Sequence, residues 1–353
     1  ASRKGALCGL FMGSKWKRRG GFSMNSAMAA LSVDVGATAD SQRRGLFQPA
    51  YLRVLRSGEL AERVRSARQH LNNCDLCARY CRVDRRRSIR GAVCRTGERA
   101  VVYSATPHHG EEDCLRGRRG SGTIFFSWCN LRCVYCQNWE IAWQGEGEET
   151  SDEQLAETML RLQALGCHNI NLVTPSHVIA QILAAVDIAA QQGLRLPLVY
   201  NTSGYDSPEA LALLDGVVDI YMPDMKYGDE TLARKYSHVR DSVHVNREAV
   251  REMHRQVGDL VINADGLAER GLLVRHLVLP NGASGVKTVT RFLAEEISAD
   301  TYLNLMGQYR PCHRASEHAA LDRKIARAEF SEALAIARRY GLYRLDPGAL
   351  GRW

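Results

Sequence analysis

No run of eighteen or more apolar residues occurs in this 353-residue chain, so a membrane-spanning helix is not indicated. The first 23 residues contain no acid and no long apolar segment. Without an apolar segment they do not read as a secretory leader. Their bases, Arg3, Lys4, Lys15, Lys17, Arg18 and Arg19, lie among Ser and Gly, the composition of an organelle transit peptide. A disordered extension, or a start at Met24 or Met28, accounts for the same composition. The expected location is therefore the cytoplasm, with an organelle as the alternative. A strong charge imbalance is missing from the remainder too. The formal charge is +8, but beyond residue 23 the chain holds 41 bases against 39 acids. The pI therefore does not argue for nucleic acid. Residues 1–45 are expected to add nothing to the fold.

Eleven cysteines invite a disulfide reading. A long chain with no secretory leader and with cysteines at x2 and x3 spacings points instead to metal. Two groups stand out: Cys74, Cys77, Cys81 and Cys94, then Cys129, Cys133 and Cys136. Cys8, Cys114, Cys167 and Cys312 stand apart. Cys167, in "LGCHNINLV", reads as a small buried hydrophobe.

Apolar residues at helical spacing predict a helix over 58–71, leading into the first group. From residue 123 onward short apolar runs alternate with helical patterns. The runs are "TIFF", "NINLV", "LPLVYN", "VVDIYM", "LLVRHLVL" and "TYLNLM". Helices are expected at about 152–165, 176–192, 208–214, 242–257, 286–298 and 321–340. Ser151, Ser176, Ser207 and Ser242 are the candidate N-caps. Such alternation implies an α/β fold, a parallel sheet covered by helices. A closed barrel needs eight units in typically about 250 residues. The six found here fit a partial (β/α)6 barrel, with a C-terminal helix after it. The expected divisions are an extension at 1–45, a helix plus Cys-rich metal-binding module at 46–121, the partial barrel at 122–310 and a helical segment at 311–353.

The second group, "CNLRCVYC", is C-x3-C-x2-C directly after the first strand. In parallel sheets ligands bind at the carboxyl ends of strands. A closed zinc site takes four protein ligands. A cubane held by three thiolates leaves one iron open to a small molecule. This spacing, with Tyr135 before the third cysteine, resembles the signature of the radical S-adenosylmethionine (SAM) enzymes. The resemblance implies that Cys129, Cys133 and Cys136 hold a [4Fe–4S] cluster whose open iron binds SAM. One electron then cleaves SAM to methionine and a 5′-deoxyadenosyl radical, which abstracts a substrate hydrogen.

From Ser121 to Pro311 the chain looks like the branch typified by pyruvate formate-lyase activating enzyme. From about Cys74 it looks closer still to a group of poorly characterised homologues of that enzyme. "YNTSGY" resembles the polar motif that helps hold SAM, which implicates Asn201 and Ser203. "DIYMPDMKY" resembles an Asp-x-Lys motif and places Asp224 and Lys226 near the SAM methionine or the substrate. "VRHLVLP" resembles the strand whose Arg, here Arg275, approaches SAM. An apolar strand makes an unpaired Arg275 costly, so an anionic partner is expected. The usual Gly-Gly-Glu segment is absent, replaced by "VTPSH" at 173–177, leaving Thr174, Ser176 or backbone carbonyls to meet the SAM amino group. Each assignment has a plainer reading. Asp224 with Lys226 is a surface pair, and Asn201 with Ser203 forms a turn before Gly204.

The first group, C-x2-C-x3-C-x12-C, can close one site by itself and lies among many arginines, which favour thiolates. Zinc and a second iron–sulfur cluster both fit. A nucleic-acid patch is not favoured, because Tyr80 is the one aromatic among the arginines. "HHGEED" at 108–113 reads as a solvated loop, unless it folds over the barrel mouth and brings His108, His109 or Glu111 to the chemistry. The resemblance implies an electron donor such as flavodoxin or ferredoxin and a protein or peptide substrate. A small-molecule substrate, or a non-catalytic iron–sulfur carrier or scaffold, is the alternative.

Overall fold

The computed structural model describes residues 47–348, and the expected extension at 1–45 lies outside them. Nine strands are present among the described residues: β1 (Ala100–His108), β2 (Ser121–Phe126), β3 (Glu148–Thr150), β4 (Ile170–Val173), β5 (Leu198–Thr202), β6 (Ile220–Pro223), β7 (Val261–Ile262), β8 (Ala268–Leu277) and β9 (Tyr302–Met306). The helices are α1 (Tyr51–Arg56), α2 (Glu59–His70), α3 (Asp113–Arg116), α4 (Asp152–Ala164), α5 (Ile179–Gln191), α6 (Pro208–Leu214), α7 (Glu230–Ser237), α8 (Ser242–Val257), α9 (Val286–Phe292) and α10 (Arg327–Arg339).

The fold is α/β. The six apolar runs become β2, β4, β5, β6, β8 and β9, paired in that order and all parallel. Because β9 pairs with β8 and not with β2, the barrel stays open. Two strands that the periodicity did not predict, β1 and β3, extend the sheet antiparallel beyond β2. Residues 48–348 pack as one compact unit. No helix among the described residues is long and apolar enough to cross a membrane.

Local capping explains some helix starts and tertiary contacts explain others. Ser151 accepts from Gln154 N at 3.3 Å while Gln154 returns a bond to Ser151 N, a capping box for α4. Ser207 accepts from Ala210 N ahead of Pro208 in α6. Ser176 and Ser242 do not cap. Ser176 Oγ is 2.9 Å from Thr202 Oγ1, and α5 starts three residues later. At α8 the Glu230 carboxylate, arriving from α7, accepts from Ser242, Val243 and His244 N–H groups. Any acceptor held at the helix start satisfies these donors. The helix expected at 286–298 turns to π geometry over Leu293–Ile297, and α10 begins at Arg327 rather than near 321.

Strand residues alternate between two faces. Tyr200, Tyr221, Leu272, Val274 and Leu303 join the main core beneath the helices. Their neighbours Val199, Ile220, Met222, Leu273 and Tyr302 form a smaller cluster inside the barrel, closed by Cys114 and Leu115 of α3. That inner face becomes polar toward the strands' carboxyl ends.

Candidate functional site

The loop after β2 carries Cys129, Cys133 and Cys136, and other elements hold it tightly. Ser127 N donates to Val101 O at 2.8 Å, which ties the loop's start to β1. Arg132 N and Val134 N donate to Ser237 O and Tyr236 O, so the end of α7 clamps the middle. Buried Asn130 donates to Tyr205 O at 2.9 Å and accepts from Ser203 Oγ at 3.2 Å. Trp128, just before Cys129, takes a left-handed φ of 67°. Such strain in a non-glycine residue persists only where the surroundings enforce it.

The three thiols act electrostatically on one another. Burial pushes Cys129 up to about 11, with the Cys133 charge adding to it, and burial raises Cys133 and Cys136 as well. Lys226 favours the thiolate at all three. Leu131 N donates to Cys129 Sγ at 3.3 Å, and Ser237 Oγ lies 2.9 Å from Cys133 Sγ.

The strand register places the other candidates relative to this loop. Asn171 pairs with Val199, two residues from Asn201, and Asn201 pairs with Met222, two residues from Asp224. Asp224 bridges to Arg275, which pairs with Asn304. Asn171, Asn201, Asp224, Arg275 and Asn304 therefore share the inner face. Asp224 and Lys226 form an ion pair with about a fifth of each side chain exposed, so this is not a fully solvated surface pair. The Asn201 amide makes no hydrogen bond among the described residues. The buried Asn171 amide has neither its nitrogen nor its oxygen partnered.

Arg275 has two carboxylate partners that the sequence reading did not pair with it. Its Nε and Nη2 donate to Glu112 at 2.7 and 2.6 Å, and it also bonds Glu111. Asn304 Nδ2 donates to Glu112 at 2.7 Å. Burial pushes Glu112 up, but the Arg275 charge and these bonds hold it below the usual carboxylate range. Within the stretch at 108–113, Glu111 and Glu112 are buried against Arg275 while His109, Gly110 and Asp113 are exposed. The stretch enters from the amino ends of the strands, where His108 pairs with Ser121 at the start of β2, not over the carboxyl-end mouth.

Other candidates turn inward. Tyr135 is buried, edge-on to Tyr309 with ring centroids 6.0 Å apart. The Ser203 hydroxyl is spent on Asn130. In the segment replacing Gly-Gly-Glu, Ser176 is spent on Thr202. Thr174 adopts a left-handed φ of 61°, the region a glycine enters freely. Asp206 was missed by the sequence reading. Fully buried, it accepts from Tyr200 OH at 2.8 Å and Thr202 Oγ1 at 2.6 Å and braces the 202–206 turn.

The family model for the Radical SAM superfamily matches residues 123–269, from β2 into β8. Residues 123–269 form a radical SAM domain. An uncharacterised protein of Methanocaldococcus jannaschii is 28% identical over 291 residues, covering 79% of this chain and 78% of that protein. Among solved structures, a radical SAM methyltransferase from Sphaerobacter thermophilus covers 65% of this chain and 67% of its own at 14% identity and a TM-score of 0.40. Methylornithine synthase covers 84% and 75% at 15% identity and a TM-score of 0.42.

A radical SAM domain implies an enzyme with a [4Fe–4S] cluster and SAM, and the residues present fit that cluster. Among the described residues no three His, Cys, Asp or Glu side chains converge closely enough to hold a single ion. Three thiols that feel one another's charge are the donor set of an open cubane, in which each thiolate takes a different iron. Lys226 supplies positive charge beside them.

The four upstream cysteines lie in a stretch of turns between α2 and β1. All four line one small cavity with Arg85 and His177. This stretch touches the radical SAM loop directly. Arg79 Nε donates to Asn130 O at 2.6 Å, and Arg132 donates to Val93 O.

Proposed function

We propose that this radical SAM enzyme abstracts hydrogen from a protein or peptide, as a glycyl-radical activase does. The observation that supports this reading is the open barrel: β9 does not pair back to β2, whose outer edge β1 covers instead, so the sheet does not close into a ring around the site. When bound, the cluster and SAM supply a 5′-deoxyadenosyl radical. The chain's own residues position that chemistry. Cys129, Cys133 and Cys136 hold the cluster. Lys226 offsets negative charge there, with Asp224 fixing its ammonium group. Asn201 offers an uncommitted amide to SAM from the inner face. Ser203 keeps Asn130, and through it the cysteine loop, in place. Arg275 acts through the loop at 111–112, which narrows the inner end of the site. The upstream cysteines hold a second metal centre. A flavodoxin or ferredoxin is the electron donor in this reading.

A small-molecule substrate is the second reading. The Asn171 amide favours it, since both of its polar atoms are buried without partners on the inner face. Such a group is costly unless a ligand completes it.

Reconstituted, reduced protein incubated with SAM is expected to release 5′-deoxyadenosine and methionine, and Cys133→Ala protein to release neither. No 5′-deoxyadenosine under any reducing condition would leave a non-catalytic iron–sulfur carrier. SAM-dependent capture of one protein from native extract, with hydrogen transfer from it into 5′-deoxyadenosine, supports the protein substrate. Transfer from a small molecule alone overturns it.

A further inference from the structure

We propose that Cys74, Cys77, Cys81 and Cys94 bind a second [4Fe–4S] cluster, not zinc, placed directly beside the radical SAM cluster. The inference deepens the proposed function and rests on the radical SAM reading only for the identity of its neighbour.

The four thiols lie 35 to 62 residues before the Cys129–Cys136 triad in sequence, and they line a single cavity of their own. Cys74, Cys77 and Cys94 are buried and Cys81 is partly exposed. Tyr80, Arg82 and Arg95, next to Cys81 and Cys94, all take left-handed backbone conformations, with φ of 46°, 54° and 48°. Three such non-glycine residues beside the thiols mark a backbone shaped around something specific.

Charge points to what fills it. Arg85 is 2% exposed and reaches into this cavity. It donates to the carbonyls of Thr96, His177 and Gly97 at 2.7, 2.8 and 3.1 Å, and its Nη1 lies 3.6 Å from Cys74 Sγ. No carboxylate among the described residues pairs with it. A buried guanidinium needs an anion. Thiolates held by metal provide that anion in the place the guanidinium faces. His177, 1% exposed, lines the same cavity. Its Nε2–H donates to Ser127 O at 2.9 Å, which leaves Nδ1 with a lone pair and no partner.

Spacing separates the two metals. Four thiolates on one zinc at about 2.3 Å must lie within roughly 4 Å of one another. Among the described residues no three such ligands converge on a single ion, although these four share a cavity. The radical SAM triad behaves in the same way, and its cofactor is a cubane. Four thiolates, one per iron, close a cubane with no open position.

The two sites abut. Arg79, between Cys77 and Cys81, bonds the carbonyl next to Cys129, and Arg132, between Cys129 and Cys133, bonds the carbonyl next to Cys94. Ala78 N and Asn130 Nδ2 also share Tyr205 O as acceptor.

The test is metal and sulfide analysis of anaerobically reconstituted full chain, wild type and Cys129→Ala/Cys133→Ala/Cys136→Ala. The wild type is expected to hold about eight irons and the triple variant about four, one per remaining cluster thiolate, with no zinc. The triple variant should keep a reducible low-temperature paramagnetic signal that SAM does not alter. The reduced wild type should show a split or broadened spectrum, from two neighbouring spins, rather than the sum of two separate ones. About four irons in the wild type, with or without zinc, overturns the proposal even if the triple variant fails to fold. So does a non-interacting pair of signals. Failure of the radical SAM reading would show differently, as a wild-type spectrum indifferent to SAM with the triple variant's iron unchanged.

Discussion

Ser237 Oγ stands 2.9 Å from Cys133 Sγ and 2.7 Å from Tyr227 OH, so one hydroxyl links a cluster cysteine to a buried tyrosine. Tyr227 can donate to Ser237 and Ser237 to the sulfur, which is the arrangement a thiolate requires. Hydrogen bonds to cluster sulfurs raise the reduction potential. Ser237→Ala should therefore lower the potential of the radical SAM cluster while leaving its iron content unchanged. A bond worth about 1 kcal/mol corresponds to roughly 40 mV for one electron. A redox titration followed by electron paramagnetic resonance checks this, and an unchanged potential would show that the contact is only packing.

Arg275 is the hub of the loop at 111–112, and removing it leaves two buried carboxylates without their cation. Arg275→Ala should destabilise the protein by about 3–5 kcal/mol. Arg275→Ala/Glu112→Gln should recover part of that loss, because one uncompensated charge is gone. Denaturant unfolding of the four proteins in the cycle measures the coupling, and a purely additive result would remove Arg275 from this role.

The same pair sets a pH dependence. Glu112 has a lowered carboxyl pKa in the folded protein, against an ordinary value of 4.5. A depressed value means that the stabilisation is complete above the unfolded pKa and is lost as pH falls through the folded one. The stability gap between wild type and Glu112→Gln should be constant at neutral pH and shrink below about pH 4.5. Unfolding curves at a series of pH values test it. A gap that widened on acidification would reverse the assignment.

Gly204 lies at φ 70°, and a Cβ there would come 2.1 Å from Asn246 Nδ2 and 2.9 Å from Asp224 O. Gly204→Ala should cost at least about 1–3 kcal/mol from backbone strain alone and displace the Asp224 strand end. Both a lower melting temperature and weaker SAM binding are expected. Wild-type stability in this variant would mean that the turn relaxes freely.

Asp224→Ala removes the partner of Lys226 at the inner face. SAM affinity should fall roughly tenfold or more, the loss of a charge-assisted bond worth about 1.5–3 kcal/mol. Iron content should not change. Equilibrium binding to reconstituted protein decides it, and unchanged affinity would sink the role given to Asp224.

Spacing and periodicity are local properties, and what they encode was legible in the chain. C-x3-C-x2-C after an apolar run placed the triad at a strand end, and alternating patterns named all six parallel strands. Ser151 and Ser207 capped as their local pattern implied. Ser242 did not, because Glu230 reached its helix start from α7. Asn201, Asp224 and Arg275 could be named from motifs, but only strand register put them on one face. Arg275 was expected to need an anion, yet its partner Glu112 lies 163 residues away. Ser237, Asn130 and Asp206 carried no signal of their own, since a serine, an asparagine or an aspartate is ordinary until folding gives it a neighbour. The sequence by itself determined the six parallel strands, most of the helices between them and the spacing of the cysteines, through patterns a few residues apart. Tertiary structure alone decided which charges meet and which polar atoms stay unpartnered, because those depend on distances that the order of residues does not contain.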